Sequence, residues 1–245
     1  MNAIETHQLT RVFGPLCAVN GVSIEVPQGT VFGLLGANGA GKSTLLKLLA
    51  GHLRPTSGTA TVLGQPVSPG DSSRWLRMGY VSQSRYLPGW MTAAECLRFA
   101  RALRPRWDDA KLATLTARLE LQLNVKIRDL SRGHYVRVQI ALALAHNPEV
   151  ILLDEPTSGL DPAGRRELMG LLVDEIGLRG RTVVFSSHLV EDIERMADAV
   201  GIMDSGRIVA SGPLETLKSR GVAGAMAPTV SLEEVFFDYV GRRSE

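Results

Sequence analysis

The chain has 245 residues, 44% of them hydrophobic and 21% charged, an ordinary globular balance with room for one large domain or two small ones. Lys and Arg number 27 against 25 Asp and Glu, so the net charge is only +2, too small an excess for binding nucleic acid through bulk basicity. No apolar run approaches the length that crosses a bilayer; the best, Ile140 to Ala145 and Val150 to Leu153, are short.

In chain order, the start (Met1-Asn2-Ala3-Ile4-Glu5-Thr6-His7) has no basic end followed by an apolar core, so no secretory signal is expected. Cys17 and Cys96 lie far apart without metal-ligand spacing, which suits a reducing cytosol. Ser23 to Val26 alternates as a strand until Pro27-Gln28-Gly29 breaks it. Val31 to Leu35 is a nearly continuous apolar run, as in a strand buried on both faces. It ends in a glycine-rich loop, and Lys42 to Ala50 then reads as a helix with leucines at 45, 46, 48 and 49.

Helical signals fill about 85–146. Thr92-Ala93-Ala94-Glu95 is a capping box. Asp108 caps a second helix carrying Leu112, Leu115 and Leu119 on one stripe. A third begins near Ser131 and stops at Asn147-Pro148. Strands and helices then alternate: Val150 to Leu153 and Thr182 to Ser186 read as buried strands, separated by a helix with Asp161 at its cap and Pro162 at its first position. Asp204-Ser205-Gly206 joins Ala199–Met203 to Arg207–Ala210 as a hairpin. A small-residue link, Gly221 to Pro228, leads to a short terminal helix. Domain boundaries are expected at 1–220 for an α/β core with its helical insertion, and at 221–245 for the link and tail helix.

Three segments carry chemistry. Gly36-Ala37-Asn38-Gly39-Ala40-Gly41-Lys42-Ser43 fits the phosphate-binding pattern G-x-x-x-x-G-K-[ST] at every fixed position, between a strand and a helix. Its backbone N–H groups can surround phosphate oxygens, Lys42 can reach the β and γ phosphates, and Ser43 can offer a hydroxyl to Mg²⁺. Val150 to Glu155 is an apolar strand ending in two carboxylates. Asp154 suits a Mg²⁺ shell, and Glu155 is then available to polarise a water for in-line attack. Gln83, after the strand Met78 to Val81, is a neutral oxygen ligand for the same ion. His188, at the end of the strand beginning at Thr182, could bond a γ-phosphate, although a lone histidine there is more often a capping or surface residue.

These residues in this order resemble the ATP-binding cassette (ABC) family of transporter ATPases. Leu130-Ser131-Arg132-Gly133-His134 and Leu152-Leu153-Asp154-Glu155-Pro156-Thr157-Ser158-Gly159-Leu160-Asp161 carry most of the resemblance. It implies an α/β P-loop NTPase fold with an antiparallel β subdomain, a helical insertion and a short C-terminal helix. It also implies a head-to-tail dimer, expected to be of identical chains, with two sandwiched ATPs. Nucleotide contacts would come from Phe13, Gly36, Asn38, Gly39, Ala40, Gly41, Lys42, Ser43, Thr44, Gln83, Ser131, Gly133 and Asp161. Mg²⁺ would be held by Ser43, Gln83 and Asp154, with Glu155 and His188 catalytic. Phe13 would stack on adenine; the alternative for it is a core position in a strand.

The family's usual signature is Leu-Ser-Gly-Gly-Gln, and here Arg132 and His134 replace its first Gly and its Gln. Arg132 either assists the charged transition state or points to solvent or a partner, and the completeness of the other catalytic parts favours the second. Ser231-Leu232-Glu233-Glu234 is another capping box, with Leu232, Val235, Phe236, Tyr239 and Val240 on one face. That helix either packs on its own domain or receives a partner. The expected function is ATP hydrolysis driving export through a separate integral membrane subunit, on the cytoplasmic face of the membrane and without nucleic acid. The alternatives are a soluble cassette acting on ribosomes or nucleic acid, whose relatives generally carry tandem cassettes or long coiled-coil inserts, and a regulator or transferase, which gives the signature no purpose.

Overall fold

The structure is a computed structural model that describes residues 1–71, 73–177, 180–219 and 231–241. The chain opens with strands β1 (Asn2–Phe13), β2 (Leu16–Val22), β3 (Glu25–Pro27) and β4 (Val31–Leu35), then helix α1 (Lys42–Leu49). Strands β5 (Ser57–Val62), β6 (Gln65–Pro66) and β7 (Met78–Val81) precede helices α2 (Ala93–Ala102), α3 (Asp109–Arg118) and α4 (Arg132–Leu144). Next come β8 (Val150–Asp154), α5 (Pro162–Gly177), β9 (Thr182–Ser187), α6 (Val190–Met196), β10 (Ala199–Asp204) and β11 (Arg207–Pro213). Helices α7 (Leu214–Ser219) and α8 (Leu232–Gly241) end the chain. These residues form two compact units, Met1–Asp71 with Thr182–Glu245, and Ser72–Arg181.

The first unit holds two sheets. In one, β1 pairs antiparallel with β2, β3 and β5, and β6 continues beyond β5. In the other, β4 lies parallel between β9 and β10, and β11 closes the edge antiparallel. Burial explains the composition of β4: Phe32, Leu34 and Leu35 are all buried, as a strand flanked by neighbours requires. The β10–β11 turn uses Ser205 and Gly206, both at positive φ, the geometry that matches strand twist in a two-residue hairpin. The strand read at Ser23–Val26 sits instead at Glu25–Pro27. The backbone of Ile24 bonds both the amide and the hydroxyl of Thr6, and Ser23 Oγ accepts from Gln8 N, so side chains interrupt the ladder there.

The second unit pairs β7 and β8 in parallel, Met78 opposite Val150 and Val81 opposite Leu153. Helix α4 packs on β7. Ala93, Cys96, Ile127, Leu130, Tyr135 and Val138 form a buried cluster joining α2 to α4. The Thr92–Glu95 capping box is complete, and Asp108 caps α3 through Lys111 N. The helical stretch 85–146 falls inside this unit. The link Gly221 to Pro228 lies outside the described residues. Among the described residues no helix is long and apolar enough to cross a membrane.

Candidate functional site

In the first unit the glycine loop bridges β4 and α1. Gly41 has φ of 107°, and a Cβ there would lie 2.2 Å from the Ala18 carbonyl oxygen, so only glycine fits. α1 starts at that glycine with no side-chain cap and no acidic residue in its first turn. Its first backbone donors and positive end therefore meet no competing carboxylate of their own helix, as an anion site requires. Lys42 is buried, and its Nζ donates to the carbonyls of Gly36 at 2.7 Å and Ala37 at 3.0 Å. The cation is thus held inside the loop that would surround phosphate. Ser43 and Thr44 follow in the first turn, half-buried, whereas Asn38 and Gly39 are exposed and Ala40 is buried.

The same unit brings His188 to the loop. Parallel pairing sets Leu35 opposite Ser187, and Gly36 N donates to Ser187 O at 3.3 Å. Ser187 Oγ donates to Asp192 and accepts from Leu189 N, which pins the turn after β9 and leaves His188 exposed at its tip. Phe13 ends β1 opposite Leu16 and is 39% exposed, so it is not a core residue. The Arg11 guanidinium covers the ring at 4.4 Å.

The second unit assembles the acidic half. Asp154 ends β8 and is 1% exposed; Glu155 follows at 5% exposure with φ of 45°, an uncommon conformation for a residue with a side chain. Gln83 Nε2 donates to Glu155 Oε2 at 3.3 Å. Burial, and then the Asp154 charge, push the Tyr80 phenol well above its usual range. Asp161 caps α5, its Oδ1 accepting from Gly164 N at 2.7 Å.

Ser131 caps α4. Its Oγ accepts from His134 N at 3.2 Å and lies 2.8 Å from His134 Nδ1, so the substituted signature residue engages the serine directly. A Cβ on Gly133 would stand 3.4 Å from Leu160 Cδ2, an ordinary contact. Two residues that sequence reasoning passed over tie this end of α4 to the segment after Gln83. The fully buried Tyr135 accepts on its hydroxyl from Tyr86 N at 2.8 Å and Leu87 N at 3.2 Å. Arg85 lies over the Tyr135 ring at 4.9 Å and donates to Leu130 O at 2.9 Å. Their signal was a tyrosine on the buried side of the helix directly after the signature.

The Mg²⁺ donors expected from the sequence, a hydroxyl, an amide oxygen and a carboxylate, are all hard oxygen ligands of the kind the ion prefers. Among the described residues no group of three or more His, Cys, Asp or Glu could hold a metal ion.

Residues 19–158, more than half of the chain, match the ABC transporter family model. An uncharacterised ABC transporter ATP-binding protein of Nostoc is 40% identical over 207 residues, 82% of this chain and 61% of that protein. The Nod factor export ATP-binding protein I of Rhizobium meliloti is 37% identical over 215 residues, 86% of this chain and 64% of that one. The chain thus spans less than two thirds of the length of these relatives. Among solved structures, the ATP-binding subunit of an ABC transporter superposes with TM-score 0.83 at 26% identity, covering 97% of this chain and 99% of that one. A dimeric bacterial ABC transporter cassette gives TM-score 0.78 at 25% identity, covering 86% and 98%. With an uncapped phosphate loop, a buried acidic strand end and a signature helix all present, the chain belongs to the ABC transporter family as one of its ATP-binding cassettes.

Proposed function

We propose that this chain is an ATP-hydrolysing subunit of an ABC transporter that drives export through a separate membrane subunit. The observation that carries the reading is the phosphate loop: helix donors without a competing cap, and a buried lysine held at their centre. Backbone groups of Gly36, Asn38, Gly39, Ala40 and Gly41 bind the phosphates, with Lys42 neutralising the β and γ positions and Ser43 and Thr44 completing the first turn. Phe13 stacks on adenine with the face that Arg11 leaves open. Glu155 accepts the proton of the attacking water, and His188 bonds the γ-phosphate and keeps that water in line.

Ser43, Gln83 and Asp154 hold Mg²⁺, which when bound offsets charge on the phosphate oxygens. Ser131 and Gly133 address the nucleotide of a second copy, and Asp161 lies at the same contact. The 1–220 portion acts as the ATPase domain and 221–245 as its tail. The helical stretch 85–146 receives the membrane subunit; Tyr86, Trp90, Phe99 and Leu103 are exposed there. The chain works on the cytoplasmic face of the membrane. The Rhizobium relative supports the export direction through its name alone.

Glu155→Gln tests the reading. The variant is expected to bind ATP normally, hydrolyse it about 10²–10⁴-fold more slowly, and run as a dimer on gel filtration with ATP present. Turnover at the normal rate removes Glu155 as the base. Co-purification with ribosomes or nucleic acid, in place of a polytopic membrane protein, removes transport as the purpose.

A further inference from the structure

Arg132 is half-buried and turned against its own chain. Its Nε donates to the backbone carbonyl of Ser158 at 3.3 Å. Its aliphatic stem lies over Gly159, where a Cβ would stand 3.6 Å from Arg132 Cγ. Next to it, the Leu160 side chain rests against Gly133. The first turn of α4 is therefore fastened twice to the segment 158–160, within one unit of the chain.

The turn also carries backbone bonds of its own. Ser158 N donates to Glu155 O at 3.1 Å and Leu160 N to Thr157 O at 3.2 Å, both bonds internal to the turn. The turn contains two left-handed positions, Glu155 at φ 45° and Gly159 at φ 75°. A left-handed glutamate persists only where its surroundings enforce it. A glycine at position 132, the usual family residue, would leave the Ser158 carbonyl without this donor.

We propose that Arg132 is a positioning residue: it clamps the turn running from Glu155 to Asp161 onto the start of α4. Ser131 and Gly133 at one end, and Glu155 and Asp161 at the other, then move as a single body. The clamp rests on the ATPase reading for its functional consequence, but the contact itself does not. Because the arginine acts on the backbone beyond Glu155 and not on nucleotide, its loss lowers turnover without weakening ATP affinity.

The test compares wild type, Arg132→Lys and Arg132→Met in the full chain, by amide hydrogen exchange over residues 157–161 and by steady-state ATP hydrolysis. Methionine keeps the apolar stem over Gly159 and removes the donor, so the fold is retained; Arg132→Gly, which removes both, serves as a second variant. For Arg132→Met, exchange in the turn should rise about tenfold and kcat should fall roughly three- to tenfold, the scale of one half-buried charge-assisted hydrogen bond. KM for ATP should stay within about twofold, and Arg132→Lys should recover most of both losses. Unchanged exchange in Arg132→Met and Arg132→Gly overturns the clamp. So does a raised KM at constant kcat, or a thousandfold loss of kcat with exchange unaltered, which would mark a guanidinium acting on phosphate. Wild-type protein without ATP hydrolysis would sink the ATPase reading alone, and the exchange comparison would still decide the clamp.

Discussion

Lys42 makes its case through what surrounds it. A buried ammonium resting on two carbonyls is already desolvated and aimed, so phosphate oxygens gain a charge-assisted partner with little rearrangement. Lys42→Ala is expected to weaken ATP binding by about ten- to a hundredfold, measured by calorimetry; unaltered affinity would remove the loop from the site. Gly133→Ala should fold normally, because the added methyl meets only Leu160 at 3.4 Å. Its effect should appear in gel filtration as loss of the ATP-driven dimer, and a dimer as stable as the parent's would take Gly133 out of the contact. The residues of fixed spacing were legible because the chemistry dictates both residue type and order. Arg85, Tyr135 and the Arg132–Ser158 bond were not: each joins residues 26 to 49 positions apart or stacks a side chain across elements, which no local pattern encodes.

At the scale of elements, capping signals proved the most readable. The Ser231–Glu234 box is made at both ends, and α8 packs on α6, α7 and β11 through Leu232 and Val235. Of the two sequence expectations for that helix, its own unit covers one face, while Phe237 on another is exposed. Val235→Asp, which buries an unpaired carboxylate, should lower the melting temperature by roughly 5–10 °C for a chain of this size. Phe237→Ser should shift it by less than about 2 °C; equal shifts would show that α8 is not docked as described. Strand β5 was not read, since its Ser, Gly, Thr and Ala residues give weak alternation and are ordered by pairing with β1. Helix α6, only seven residues long, also escaped notice; it is set by packing against β4 and β9.

Across the whole molecule, acid sensitivity has a definite source. His146 is buried, and burial first, then the Arg104 charge, hold its pKa down at about 4. Arg104 Nη1 lies 2.6 Å from both ring nitrogens, and Nε2 also faces Met78 O at 3.2 Å, so a fixed cation already abuts the ring and opposes a second positive charge. Unfolded, the ring titrates near 6.5 and binds more protons than the folded form, so its stabilising contribution is present above that value and is lost as pH falls toward 4. Melting temperature should therefore drop between pH 7 and 5, and His146→Gln should flatten that drop; an identical slope in the variant would assign acid sensitivity elsewhere. The placement of β4 carries a consequence for synthesis. The phosphate loop hangs from this strand, yet both its neighbours, β9 and β10, lie about 150 residues or more downstream, and Val31 N is held by Asp198 across 167 positions. At ribosomal rates of 5–20 residues per second, the nascent strand waits on the order of 10–30 s for these neighbours. Throughout that interval its apolar edges are open to mispairing, and nucleotide has no finished cradle with which to assist the growing chain.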